Sequence, residues 1–254
     1  MADYLIQEAA IDKITENSII LTFAKCVHVW NVVLDSVLMA VSCYRSSVVE
    51  QVILRASQAG KKFTVCVIDS GPLFEGKPIY HCSDLDESVT FFQGRRLLDS
   101  LKERGITCSY SHLSALGTVI ANANLVLLGA HSLYANGALY SRAGTALVAT
   151  MASQRSIPVL ACCETYKFSN DVPFDGFTKN ELGNVCSFVF PVLWVWLTCP
   201  VAVAHSPELR PCLQTLNPLY DLTPANMITA VITEIGLIPP SSVPTVLPRA
   251  GIQE

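Results

Sequence analysis

Ile106-Thr-Cys-Ser-Tyr110, Leu113–Ala123, Leu125-Val-Leu-Leu128, Ala143–Ser153 and Pro158-Val-Leu-Ala-Cys162 follow one another along a single stretch, and their alternation decides the fold. Short apolar or β-prone runs alternate with segments of helical period, and Leu125–Leu128 carries no polar residue. A strand that is apolar on both faces must be covered on both faces, as in a parallel sheet between two layers of helices. Upstream, Ile19–Phe23 and Phe63–Ile68 repeat the strand signature. Ser46–Ser57 and Gly94–Arg104 repeat the helical one, the second closed by Gly105. Residues 2–16 set Leu5, Ile6, Ala9, Ala10 and Ile14 on helical spacing. The expected fold class is α/β, a Rossmann-like parallel sheet with helices on both faces. That pattern names an architecture and no activity.

Composition narrows the choice. The chain has 254 residues, enough for a full core, and 15% are charged, against about 25% in an average soluble protein. Seventeen basic residues stand against 21 acidic ones. No basic run exceeds a pair, which argues against direct nucleic-acid binding. Disordered, collagen-like and coiled-coil classes are excluded. The ten cysteines form no Cys-x-x-Cys pair and have no histidine at ligand spacing, so no metal site is expected. The N-terminus lacks the basic start and apolar run of a signal peptide, so a cytoplasmic protein with reduced thiols is expected. Cys162 and Cys163 are neighbours on a strand and point to opposite faces, which disfavours joint metal ligation.

Three stretches break the rhythm. Cys26–Tyr44 has 14 apolar residues of 19, and Leu182–Ala204 has no charge in 23 residues but contains Pro191 and Pro200. Lys77–Gln93 has no clear period. The first and last are as long as the ~20 residues a membrane helix needs. Transmembrane helices there would have to leave and re-enter one continuous sheet, so no membrane partner is expected.

Val126-Leu-Leu-Gly-Ala-His-Ser-Leu-Tyr-Ala-Asn-Gly-Ala-Leu-Tyr-Ser-Arg-Ala-Gly-Thr145 resembles the C-terminal domain shared by the alpha, beta and delta subunits of translation initiation factor two B and the methylthioribose-phosphate isomerases. Ile157–Phe168 with Asn180-Glu-Leu, and Asn217–Pro224 with Ile232–Pro244, are similar to the delta branch of that family. The resemblance makes 1–254 a single Rossmann-like C-terminal domain, the family's N-terminal helical domain being absent. It also turns the irregular stretches into inserts at 26–44, 77–93 and 185–204, since skipping each restores a family-like junction. Translated introns and genuine lineage-specific loops are both open explanations.

The resemblance also locates chemistry. The isomerases use a cysteine and an aspartate for proton transfer, and here those positions hold Ala24 and His131. A histidine can exchange a proton near neutrality, but without its partner a capping or packing role fits better, and isomerase chemistry is expected to be absent. Ser141 and Arg142 fall where the isomerases hold the substrate phosphate. Asn136 and Gly137 begin the same turn, which leads toward a helix N-terminus, itself an anion seat. A possible phosphate site is therefore Asn136, Gly137, Ser141 and Arg142; a structural or inter-subunit ion pair of Arg142 is the alternative. Gly71–Pro78 mimics a phosphate loop but has Pro78 where magnesium binding needs Ser or Thr.

What the resemblance implies is a non-catalytic regulatory subunit of the guanine-nucleotide exchange factor for translation initiation factor two, without a cofactor. Its implied partners are a beta-like subunit first, then alpha-, gamma- and epsilon-like subunits, and initiation factor two. Leu216, Asn217, Tyr220 and Asp221 are the implied subunit interface, with Tyr220 the expected hot spot. A sugar-phosphate isomerase-like protein or sugar-phosphate binder is the alternative.

Overall fold

The computed structural model describes residues 2–23, 48–69, 93–176, 180–181 and 218–246. The expected inserts at 26–44 and 185–204, the stretch 77–92 and the phosphate-loop mimic at 71–78 lie outside these residues, as do Ala24, Leu216 and Asn217.

In chain order the first half runs α1 (Ala2–Ile11), β1 (Ser18–Phe23), α2 (Val48–Gln58), β2 (Phe63–Asp69), α3 (Gln93–Glu103), β3 (Thr107–His112) and α4 (Leu116–Val119). Two 3-10 turns, Leu113–Ala115 and Ile120–Asn122, flank α4. The expected helix over 113–123 is thus three short pieces of differing pitch. The chain continues with β4 (Leu125–Gly129), β5 (Ser132–Tyr134), β6 (Leu139–Arg142), α5 (Thr145–Gln154), β7 (Val159–Cys162) and β8 (Phe168–Ser169). It ends with β9 (Tyr220–Thr223), β10 (Ala230–Thr233), β11 (Gly236–Ile238) and α6 (Val243–Val246).

Seven strands form one sheet in the order β11-β10-β7-β4-β1-β2-β3. All neighbours are parallel except β10 and β11, which form an antiparallel pair at the edge. The alternation in sequence explains the layering. Ile20, Val65, Val67, Leu125 and Leu127 face one core with α1, α2 and α3. Their neighbours Leu21, Cys66, Ile68, Val126 and Leu128 face the other, with α4 and α5. Helices therefore cover both faces, as expected. Cys162 belongs to the first core and Cys163 to a third around Leu133, Phe168 and Val231, so the two thiols do diverge. Burial pushes both up, Cys162 to about 12, so neither is a thiolate near neutrality.

The strand pattern did not anticipate a second sheet. β8, β5, β6 and β9 form four strands, with β6 antiparallel to both β5 and β9. Its strands are two to four residues long, too short for a period of two to show. Gly137 closes the β5–β6 hairpin at φ +77, and a Cβ there would lie 2.6 Å from the Pro240 carbonyl oxygen. No helix among the described residues is long and apolar enough to cross a membrane.

Candidate functional site

In an open parallel sheet, ligands gather at the carboxyl ends of the strands where the strand order reverses. Here β1 is followed to one side by β2 and β3, and to the other by β4 and β7, so the reversal lies between β1 and β4. The residues leaving β4 are Gly129, Ala130 and His131, and the four-stranded sheet stands directly beyond them.

His131 stays in that sheet's reach through its backbone, donating its N–H to the Tyr140 oxygen at 3.0 Å. Its exposed ring packs at 4.9 Å against Tyr220 and 5.8 Å against Tyr140. Tyr140 and Tyr220 stack at 4.8 Å with planes 20° apart. The Arg142 guanidinium lies 5.5 Å from the Tyr220 ring centre and donates to the Leu219 oxygen. Burial lowers the Arg142 pKa, while Tyr220 and Glu181 act to raise it. Burial also pushes Tyr140 up to about 12, so its hydroxyl stays protonated. Asn180 brackets the Tyr220 backbone: its Nδ2 donates to the Tyr220 oxygen at 2.6 Å, and its Oδ1 accepts the Tyr220 N–H at 3.2 Å.

Asp221 points the other way. Strand neighbours face opposite sides, so while Tyr220 joins the aromatic cluster, Asp221 reaches the first turn of α5. Its Oδ2 accepts the Gly144 N–H at 2.7 Å and the Ala146 N–H at 2.9 Å. Its Oδ1 is buried without a hydrogen-bond partner. Burial pushes the carboxyl up to about 7, against the pull of the two amides. Gly144, at the N-cap of α5, has a positive φ of +111, which sets the turn from β6 into the helix.

Two further pairs border the same end of the sheet. Asp69 ends β2 and its Oδ2 accepts the Tyr110 hydroxyl at 2.6 Å; burial, then this bond, raise the Tyr110 pKa. Glu164, beyond β7, is buried and paired with Lys167 at 2.6 Å, and Lys167 also reaches the Ala130 oxygen. Sequence reading missed both. The Glu164–Lys167 pair is local, three residues apart in one turn, and its spacing could have signalled it, whereas Asp69 and Tyr110 lie on different strands.

The expected phosphate residues do not converge. Asn136 builds the hairpin turn, accepting from Ala138 N–H and donating to the Pro173 oxygen. Gly137 is filled by the Pro240 carbonyl. Arg142 lies at the far end of β6, five residues beyond Gly137 and on Tyr220. Ser141 donates to the Gly129 oxygen at 2.9 Å. The anion seat at the α5 N-terminus is taken by Asp221, a carboxylate of the chain itself. Of the expected interface residues, the two described are turned inward: Tyr220 is 6% exposed and Asp221 caps α5, on the edge strand β9 that pairs with β6.

With this geometry in hand, relatives place the chain. The model of the initiation factor 2 subunit family matches residues 1–83 and 85–240. The chain belongs to that family. It is 33% identical over 97% of its length to translation initiation factor eIF2B subunit delta of Schizosaccharomyces pombe, covering 44% of that protein. It is 29% identical over 82% of its length to ribose 1,5-bisphosphate isomerase of Archaeoglobus fulgidus, covering 58% of it. Among solved structures, the tetrameric eIF2B beta2-delta2 complex from C. thermophilum contains a chain that matches 92% of this one at 27% identity and a TM-score of 0.62, with 55% of that chain covered. The chain thus spans less than half the length of the delta subunit it resembles. The relatives of the chain include both an eIF2B subunit and an isomerase, so likeness alone does not fix an activity.

Proposed function

We propose that the chain is a delta-like, non-catalytic subunit of the exchange factor for initiation factor two, acting in translation initiation and its control. Its 33% identity to a delta subunit over 97% of the chain carries this reading. The site geometry supports it: His131 is engaged with two tyrosines, and the helix N-terminus that could seat a phosphate is closed by Asp221. Proton transfer on a sugar needs a free acid or base beside a bound phosphate, and the residues described around His131 and the α5 N-terminus do not supply that arrangement. The described residues would be one Rossmann-like C-terminal domain, working in the cytoplasm.

The partner proposed first is a beta-like subunit, as the beta2-delta2 complex contains both kinds of chain. Alpha-, gamma- and epsilon-like subunits and initiation factor two follow, with no nucleic acid or membrane involved. Tyr220 and Asp221 would then support an interface by holding β9 in place, with Leu216 and Asn217 leading into it. Arg142 would act as an ion-pair and stacking residue in preference to a phosphate ligand.

The isomerase relative favours a second reading, a sugar-phosphate isomerase or binder. Co-expression with a beta-like subunit, followed by affinity capture and mass measurement, separates the two when run beside an isomerisation assay on ribose 1,5-bisphosphate. A stable hetero-oligomer without turnover is the expected result. Turnover that is lost in His131→Ala overturns the subunit reading.

A further inference from the structure

We propose that Asp221 is a proton-operated clasp between the four-stranded sheet and α5, tightening when its carboxyl ionises and loosening when it takes up a proton. The carboxyl sits where β9 meets the helix, and its two bonds to Gly144 and Ala146 tie the strand to the first turn. In the ionised form these are charge-assisted bonds at the positive end of a helix dipole. The cost is a charge withdrawn from water, with Oδ1 buried and unpartnered. In the protonated form that charge is gone. The two amide bonds then become ordinary neutral ones. Each form gives up something, the ionised one its hydration and the protonated one its charge-assisted bonds, and the burial that pushes this carboxyl up to about 7 brings the balance to neutral pH.

The groups around the clasp leave the carboxyl as the titrating element. From β6, Ser141 stands opposite Asp221 in register with its hydroxyl on the Gly129 oxygen, and Arg142 lies over Tyr220. Tyr140, also on β6, has its hydroxyl held protonated. Glu181 acts on Arg142 and Tyr140, and His131 packs on Tyr220. The first turn of α5 carries no acidic residue. Only burial and the two amides shift Asp221 itself. Because Tyr220 is the next residue on β9, a change in the clasp reaches the stacked tyrosines and Arg142.

The test is a pH titration of the full chain by amide NMR, from about pH 5 to about pH 9, in wild type and Asp221→Asn. The Gly144 and Ala146 amide protons are expected to move together with a shared midpoint near neutrality. Their exchange, corrected for intrinsic rate, should be about tenfold faster in the protonated form. Both responses should vanish in Asp221→Asn, whose side-chain oxygen can still accept. Flat amides across the range, or identical titration in the variant, overturn the clasp. Where the variant does not fold, the carbon resonance of the wild-type Asp221 carboxyl decides. A midpoint near the ordinary aspartate value overturns the proposal.

Discussion

Val126 and Leu127 stand side by side on β4, and each is buried against a different layer of helices. Tyr220 and Asp221 stand side by side on β9, and each is held by particular polar groups: Asn180 on the Tyr220 backbone, α5 amides on the Asp221 carboxyl. The seven-stranded sheet is stabilised by non-directional burial of many apolar side chains, each replaceable by another of similar size. The four-stranded sheet buries fewer such side chains, Leu133, Leu139 and Phe168 among them. Its edge strand β9 is held in addition by directed contacts from segments distant in sequence, and those are sensitive to a single atom.

The comparison breaks most visibly in the larger sheet. Leu127 is 1% exposed at its centre. Leu127→Ala should destabilise the whole chain by about 3 kcal/mol, in one cooperative urea transition that carries the small sheet with it. A transition that splits into two would show the sheets to be separately stable.

Next comes the hairpin of the small sheet. Gly137→Ala places a Cβ against the Pro240 backbone oxygen, which cannot rotate away, at a left-handed φ. The expected loss is about 2–3 kcal/mol. Gly60→Ala also has positive φ, +81, but open space around it, and should cost only about 1 kcal/mol. Equal effects would mean that backbone conformation alone matters at Gly137.

The pH dependence sharpens the contrast on the polar side. Asp221 has its folded-state pKa raised from 3.8 to about 7. Its contribution to stability is therefore complete below about pH 4 and declines as pH rises, levelling off above about pH 7. The slope is at most about 1.4 kcal/mol per pH unit. The ionised clasp is thus locally tighter yet globally more costly, since its charge is desolvated. Asp221→Asn should remove the decline, seen as a flatter melting temperature between about pH 5 and about pH 7. A parallel decline in the variant would assign it to other groups.

The smallest effect belongs to the surface. Glu8 and Arg55 pair at 3.3 Å with both side chains well exposed. Glu8→Gln should change stability by less than about 0.5 kcal/mol, and a larger loss would show that the Tyr4–Arg55 contact depends on it.

These effects follow what was legible beforehand. The alternation of Ile20 and Leu21, Val65 and Cys66, or Leu125 and Val126 is a local pattern, and it specified strands, helices and a doubly covered sheet. Sequence pattern also identified the family segment from Val126 to Thr145 and the divergence of Cys162 from Cys163. It could not separate β5, β6, β8 and β9 from loops, because two to four residues carry no measurable period. Nor could it distinguish Arg142 as a phosphate ligand from Arg142 as a partner of Tyr220.

The amino-acid sequence by itself determined the architecture, because burial of apolar faces is read from spacing along one segment. Only the tertiary structure decided the site. Asp221 lies 75 positions from Ala146, and Asn180 lies 40 from Tyr220. A hydrogen bond between groups so far apart has no trace in local spacing. It exists only after the chain has packed, when a carboxylate from β9 takes the helix terminus that the sequence had left open to a phosphate.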